Sequence, residues 1–285
     1  MSTNRLVSIH GGHSGEFCNH AEDTLEEVIK SYIEKGFAWV GITEHIPPSE
    51  DRFLYDDERE AGHTAQSLQE RFSLYIENCR AMQKKYINQI HVLVGFEAEA
   101  YSGYATHVKA LLKQYRPDYF IGSVHHVRDQ CIDANKEQYE KITEEVGGII
   151  PLYCEYFDEQ YEVIEELKPP VIGHFDLVRI FDEDYSNHLQ HPEVKCRIER
   201  NLRLIQSHKL IMDFNVCPLW RGKIEPYISG WILKRSFKLG ITLIPGDDSH
   251  GKNTVGLAIE DGIKILAEAG FATDFPVPNF HAADL

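Results

Sequence analysis

Close to its start the chain reads His10-Gly11-Gly12-His13-Ser14-Gly15-Glu16-Phe17-Cys18-Asn19-His20. Imidazole is the commonest metal-ligating side chain, and glycines let a backbone fold tightly enough for sequence neighbours to face one centre. The chemistry offered here is metal binding. Further donors follow at a distance: Glu44 and His45, Glu97, His125 and His126, His174, Asn215, and the run Gly246-Asp247-Asp248-Ser249-His250. Mixed imidazole and carboxylate donors suit divalent zinc, iron or manganese and fit poorly with calcium or magnesium. There are more of them than one ion needs, which points to two or three ions sharing ligands. Two such ions supply an activated water and clamp the oxygens of an in-line displacement, so phosphoester hydrolysis is the leading reaction class.

Each donor follows an apolar run. Leu6-Val7-Ser8-Ile9 reads as a strand ending at His10, and strands expected over 38–43, 91–96, 118–123, 171–173, 210–214 and 241–244 lead to His45, Glu97, His125, His174, Asn215 and Asp248. Between them, apolar residues recur at helical spacing. In the first such helix Leu25, Val28, Ile29, Tyr32 and Ile33 share a face, Asp23 and Glu26 have the form of a capping box, and Gly36 is the stop. Helices are likewise expected over 68–86, 107–114, 136–146, 152–167, 193–208, 227–239 and 257–269. Residues 46–63, with Pro47-Pro48 and the acidic Asp56-Asp57-Glu58, are too polar for a core element and read as an excursion that could form a lid.

The alternation amounts to seven strand–helix units and argues for a parallel sheet. In a parallel barrel the C-terminal strand ends share one face, so His10, His45, Glu97, His125, His174, Asn215 and Asp248 should converge there. Taken singly, each has an ordinary role as a strand-end or turn residue. Their common phase is what singles them out.

At 285 residues, 42% hydrophobic and 26% charged, the chain has the composition of a soluble globular protein and no linker, so one domain over 1–285 is expected. A formal net charge of −16, with no basic stripe, argues against nucleic acid as a partner. No apolar run approaches membrane-spanning length, and residues 1–5 lack the apolar core of a signal peptide. The expectation is a cytoplasmic protein, monomeric or a small homo-oligomer, acting on a small phosphomonoester. Six scattered cysteines without a C-x-x-C pair predict neither a disulfide framework nor a zinc knuckle.

The ordered set His13, His20, Thr43-Glu44-His45, Gly95-Phe96-Glu97, Gly122-Ser123-Val124-His125-His126, Gly173-His174-Phe175-Asp176 and Asp248-Ser249-His250 resembles the polymerase-and-histidinol-phosphatase (PHP) family. Segments 42–47, 122–127 and 173–177 resemble its histidinol-phosphatase branch, and the match runs across nearly the whole chain. The resemblance implies an α/β fold, a distorted (βα)7 TIM-like barrel, with a trinuclear metal centre at the strand C-termini. It also implies hydrolysis of L-histidinol phosphate to L-histidinol and phosphate in histidine biosynthesis. The ligands it implies are His13, His20, His45, Glu97, His125, His174, Asp248 and His250. The family opens on H-x-H, whereas Gly11 stands two residues before His13. Either a bulge at Gly11-Gly12 brings His10 into the first ligand position, as the glycines favour, or that position is empty.

In the expected mechanism a metal-bridging hydroxide attacks phosphorus while the metals draw charge from the phosphoryl oxygens. Arg179 and Arg221, each soon after a strand end, are candidates to hold the phosphate. Asp248 and His250 are the catalytic candidates, with Asp248 or a neighbouring histidine protonating the leaving alkoxide. Asp56-Asp57-Glu58 or Glu99 are candidates to meet the amine and imidazole of histidinol. Two rivals remain: a PHP-type phosphodiesterase, nuclease or phosphatase on another small phosphoester, and a non-catalytic metal-stabilised module. The acidic charge counts against a nuclease, and the near-complete donor set counts against the module.

Overall fold

The apolar run Phe37–Ile42 (β2) lies between β1 (Leu6–Ser8) and β3 (His91–Val94), parallel to both, with Val7 opposite Trp39 and Trp39 opposite His91. Its residues are almost all buried, as parallel strands covered by helices require. A second parallel sheet runs through β4 (Glu97–Glu99), β5 (Ile121–Ser123), β8 (Val171–Ile172), β9 (Ile211–Asn215) and β10 (Thr242–Gly246), neighbours in that order. Between β5 and β8 in sequence, β6 (His126–Val127) and β7 (Gln130–Cys131) form a small antiparallel hairpin. The computed structural model describes residues 5–280. Residues 1–4, most of the segment examined above for a signal peptide, lie outside them.

Two seams close the sheets into a barrel. On one side Ile9 N donates to Pro245 O (2.9 Å) and Asp248 N to His10 O (2.9 Å), joining β1 to β10. On the other, Gly95 N donates to Ile42 O (2.8 Å) and Glu97 N to Glu44 O (3.0 Å), so β4 continues β3 alongside β2. Counting β3 and β4 as one stave and setting the hairpin aside, the barrel has seven staves, as the alternation predicts. The strand expected to end at Glu97 instead breaks at Gly95-Phe96 and resumes, because Glu97–Glu99 pairs with Ile121–Ser123. Glu97 and Glu99, two residues apart, thus lie on one side of the same strand and both reach the interior.

The outer helices follow the expected segments with shifted ends. The first, Leu25–Glu34, is capped one residue later than expected: Thr24 Oγ1 accepts from Glu27 N (3.2 Å) and Glu27 Oε2 from Thr24 N (3.0 Å). Asp23 cannot serve as the cap because it sits at φ +65°, where its carboxylate accepts from Lys252 N (2.9 Å). The helix expected from residue 227 starts at Gly230, since Tyr227 is held in an antiparallel bridge to Asn215. The excursion holds only a single 3-10 turn, Asp51–Phe53, and a short helix, Asp56–Glu60. Among the described residues no helix is long and apolar enough to cross a membrane.

Candidate metal centre

The loop after β1 fixes the first two histidines. Gly11 N donates to Gly41 O (2.9 Å), and a Cβ on Gly11 would overlap Gly41 O and Val40 Cγ2. A Cβ on Gly12 would overlap Val28 Cγ1. Neither glycine has positive φ, so the requirement here is absence of a side chain and not left-handed backbone. With the loop pressed onto β2 and the helix Leu25–Glu34, His10 and His13 both turn inward and are fully buried.

Glu97 is the hub. One oxygen stands 2.8 Å from His174 Nε2 and 3.3 Å from His125 Nε2, while the other lies 3.3 Å from His10 Nε2 and 3.4 Å from His45 Nδ1. Asp248 occupies the opposite side, its Oδ1 3.4 Å from His13 Nε2 and 3.7 Å from His10 Nε2. His250 stacks on His13, ring centroids 4.4 Å apart. Glu99 is taken up within the centre: its Oε1 is 3.0 Å from His45 Nδ1 and accepts a hydrogen bond from Tyr55 Oη (2.8 Å).

Among the described residues, donor atoms gather in four groups, each within 4.8 Å: His10, His13 and Glu97; Glu97, His125 and His174; His45, Glu99 and His125; and His13, Cys18, His45 and His250. The ring nitrogens His10 Nε2, His13 Nδ1 and Nε2, His45 Nδ1, His125 Nδ1 and His174 Nδ1 are buried without a hydrogen-bond partner. Buried polar atoms are nearly always satisfied. So many orphaned lone-pair atoms at one place fit divalent cations, for which imidazole and carboxylate are suitable donors.

Electrostatics agree. Burial resists charge on Glu97, but His10 and His125 outweigh it and hold its carboxyl well below the usual range. Asp248 is likewise held low against burial by His10 and His13. The carboxylates in turn overcome the burial of His13 and His125 and lift their imidazoles to about 9 and about 10. Burial and the neighbouring His13 hold His250 well below its ordinary value.

The centre floors a cavity of ≈ 430 Å³ whose wall includes His20, His45, Glu97, His125, His174, Asp248 and His250. Arg221 is the one Lys or Arg in that wall, packed over Trp220 and without an ion-pair partner among the described residues. Arg179 does not line the cavity. Its guanidinium is buried, with Nε 3.1 Å from Asp176 Oδ2, and it donates to Pro226 O (2.6 Å) and lies over the Tyr185 and Tyr227 rings. His20 stands at the rim, 44% exposed, with Nδ1 3.3 Å from Asp57 Oδ2 and outside all four donor groups. The excursion supplies Tyr55, Asp56 and Asp57 to the wall.

Sequence reasoning passed over Cys18 and Asp213, and counted Glu44 among the donors without making it a ligand. Glu44, Oε2 3.5 Å from His13 Nδ1, sits beside His45 and was available from that position. Cys18 joins His13, His45 and His250. Asp213, fully buried in the middle of β9, bonds His10. The signal for it was an acidic residue inside an otherwise apolar run.

A family model described as PHP domain matches residues 11–216. A Schizosaccharomyces pombe protein named probable histidinol-phosphatase is 35% identical over 255 residues, spanning 88% of this chain and 82% of that protein. A Listeria monocytogenes crystal structure, provisionally assigned as a histidinol phosphatase, superposes with TM-score 0.78 at 26% identity, covering 90% of this chain and 99% of that one. The Lactococcus lactis histidinol phosphate phosphatase, solved with zinc, L-histidinol and phosphate, gives TM-score 0.72 at 16% identity, covering 94% and 95%, and shares the fold.

Proposed function

The chain belongs to the PHP domain family, and from that premise we propose that it hydrolyses L-histidinol phosphate to L-histidinol and inorganic phosphate at the buried histidine–carboxylate cluster. The observation that carries the reading is the set of orphaned imidazole nitrogens around Glu97, at the floor of a cavity whose one Lys or Arg is Arg221. A relative 35% identical carries the histidinol-phosphatase name, and a protein of the same fold binds zinc, L-histidinol and phosphate.

In this reading His10, His13, His45, Glu97, His125, His174, Asp248 and His250 hold two or three divalent ions of zinc, iron or manganese. His20 lies at the rim with Nδ1 on Asp57 Oδ2 (3.3 Å), which leaves its Nε2 as the nitrogen available to an ion. When bound, such ions supply Lewis acidity toward the phosphoryl oxygens and make water a better nucleophile near neutral pH. Arg221 holds the phosphate through paired N–H donors. Arg179 acts through the loop 225–227, which it ties to the residues after β8. Asp248, kept ionised by His10 and His13, has no proton to give at neutral pH. His250 donates its Nδ1 proton to Asp248 O (3.1 Å), which leaves Nε2 to serve as the ligand, and solvent water in the cavity supplies the proton that the leaving alkoxide takes up. Asp56 and Asp57 set negative charge in the wall, which suits a substrate carrying an amine and an imidazole besides its phosphate.

Phosphate release from L-histidinol phosphate by the chelator-treated protein, and again after zinc or manganese is restored, tests this. Loss followed by recovery supports it. Undiminished release from fully stripped protein would contradict it.

A further inference from the structure

β9 contributes no group to the four donor clusters, yet two of its residues, Asp213 and Asn215, face the centre from the same side of the strand. Asp213 Oδ2 lies 2.9 Å from His10 Nδ1 and also accepts from His174 N (3.4 Å). Asn215 Nδ2 donates to Asp248 Oδ2 (3.1 Å), while its Oδ1 accepts from Cys217 N (3.0 Å), which fixes the orientation of the amide. Each therefore holds a residue that belongs to the centre without reaching it directly.

The chemistry of the Asp213 contact is specific. A carboxylate only accepts, so a neutral His10 carries its proton on Nδ1 and its lone pair on Nε2. That bare nitrogen points at Glu97 Oε2 (3.3 Å) and Asp248 Oδ1 (3.7 Å), and it has no hydrogen-bond partner. A lone pair buried against two carboxylates is held in place only if a cation sits among the three. The position is also shaped for Asp213. A Cβ on Gly246, in the adjoining strand, would overlap both Asp213 Oδ1 and His10 Cβ, so the strands close tightly over this pair.

We propose that Asp213 is a positioning residue that sets the tautomer and aim of His10, and that Asn215 does the same for Asp248, so that both tune one ion position, formed by His10, Glu97 and Asp248. The inference rests on the metal-centre reading above. It also answers the irregular spacing of the opening motif, because His10, three residues before His13, is delivered as a ligand by the carboxylate behind it. Removing such a carboxylate from a ligating histidine typically weakens metal binding by about 10- to 100-fold.

The test is zinc titration of the chelated protein, with bound metal counted by elemental analysis, for wild type, Asp213→Asn and Asn215→Ala. The expected result is that each variant loses about 10- to 100-fold in affinity at one position while the remaining zinc stays bound, and kcat falls with KM little changed. A purely structural role would instead lower the melting temperature of the metal-free protein and leave zinc affinity unmoved, which overturns the proposal. Should the variants not fold, histidine-selective ¹⁵N spectra of the zinc-loaded wild type decide it: a proton on His10 Nδ1 with Nε2 metal-bound supports it, and the reverse assignment overturns it. Wild type that takes up no zinc would instead remove the metal-centre reading beneath it.

Discussion

His174 Nε2 stands 2.8 Å from Glu97 Oε1, and the same oxygen is 3.3 Å from His125 Nε2, so residues that follow the ends of two staves meet on one carboxylate atom of a third. Glu97→Gln keeps the shape and removes the charge. It should cut kcat/KM by about 10²–10³-fold, the scale of losing a principal charge-stabilising group, and lower the zinc content measured on the purified protein. Unchanged metal content would place the ions elsewhere.

The two arginines should separate by assay. Arg221→Ala is expected to raise KM for the phosphomonoester, since a hydrogen-bonded charge contributes about 1.5–3 kcal/mol, or roughly 10- to 150-fold, with the melting temperature unmoved. Arg179→Ala leaves Asp176 buried without its cation, a change that costs about 3–5 kcal/mol. Its signature is a fall in thermal stability, read by calorimetry, in excess of any change in KM.

Gly11→Ala tests the packing that turns His10 inward. The added methyl meets Gly41 O and Val40 Cγ2, and overpacking of this kind costs about 1–3 kcal/mol. A lowered melting temperature together with lowered metal occupancy is expected, because the loop must lift and carry His10 with it. Wild-type occupancy in this variant would show that the loop has slack.

Removal of metal should make stability fall in alkali. His13 and His125 are raised from 6.5 to about 9 and about 10, the carboxylates outweighing burial. A folded pKa above the unfolded one means the folded chain holds the proton more tightly, so this stabilisation is complete below about pH 6.5 and is lost as pH rises through about 9 to 10. Glu97 and Asp248, depressed by their histidines, act in the opposite direction and lose their contribution in acid. Melting temperatures of chelated protein across this range should decline on the alkaline side, and less steeply once zinc replaces the protons.

The barrel was legible because parallel strands buried on both faces read as apolar runs, and because each run ended in a donor at the same phase. His10, His45, Glu97, His125, His174 and Asp248 are brought together as that phase requires. What stayed hidden depended on contacts across long stretches of chain. Arg179 is consumed by Asp176 and by carbonyls at Glu225 and Pro226, more than forty positions away, and no local pattern announces them. Asp213 lies within a strand and not at its end, so a search of strand ends passes over it. The break at Gly95-Phe96 turns Glu99 inward, where spacing alone left it free for substrate. His20 falls at the rim, two residues past the turn from Ser14 to Cys18, where Cys18 N donates to Ser14 O (2.8 Å).

The most direct measurement is kcat/KM of the zinc-loaded protein for L-histidinol phosphate, beside an aryl phosphate and an aryl phosphodiester. About 10⁴ M⁻¹s⁻¹ or more for the first, in the range usual for cognate substrates, with far lower values for the others, is the predicted result. Comparable slow turnover of all three, or preference for the diester, would contradict it.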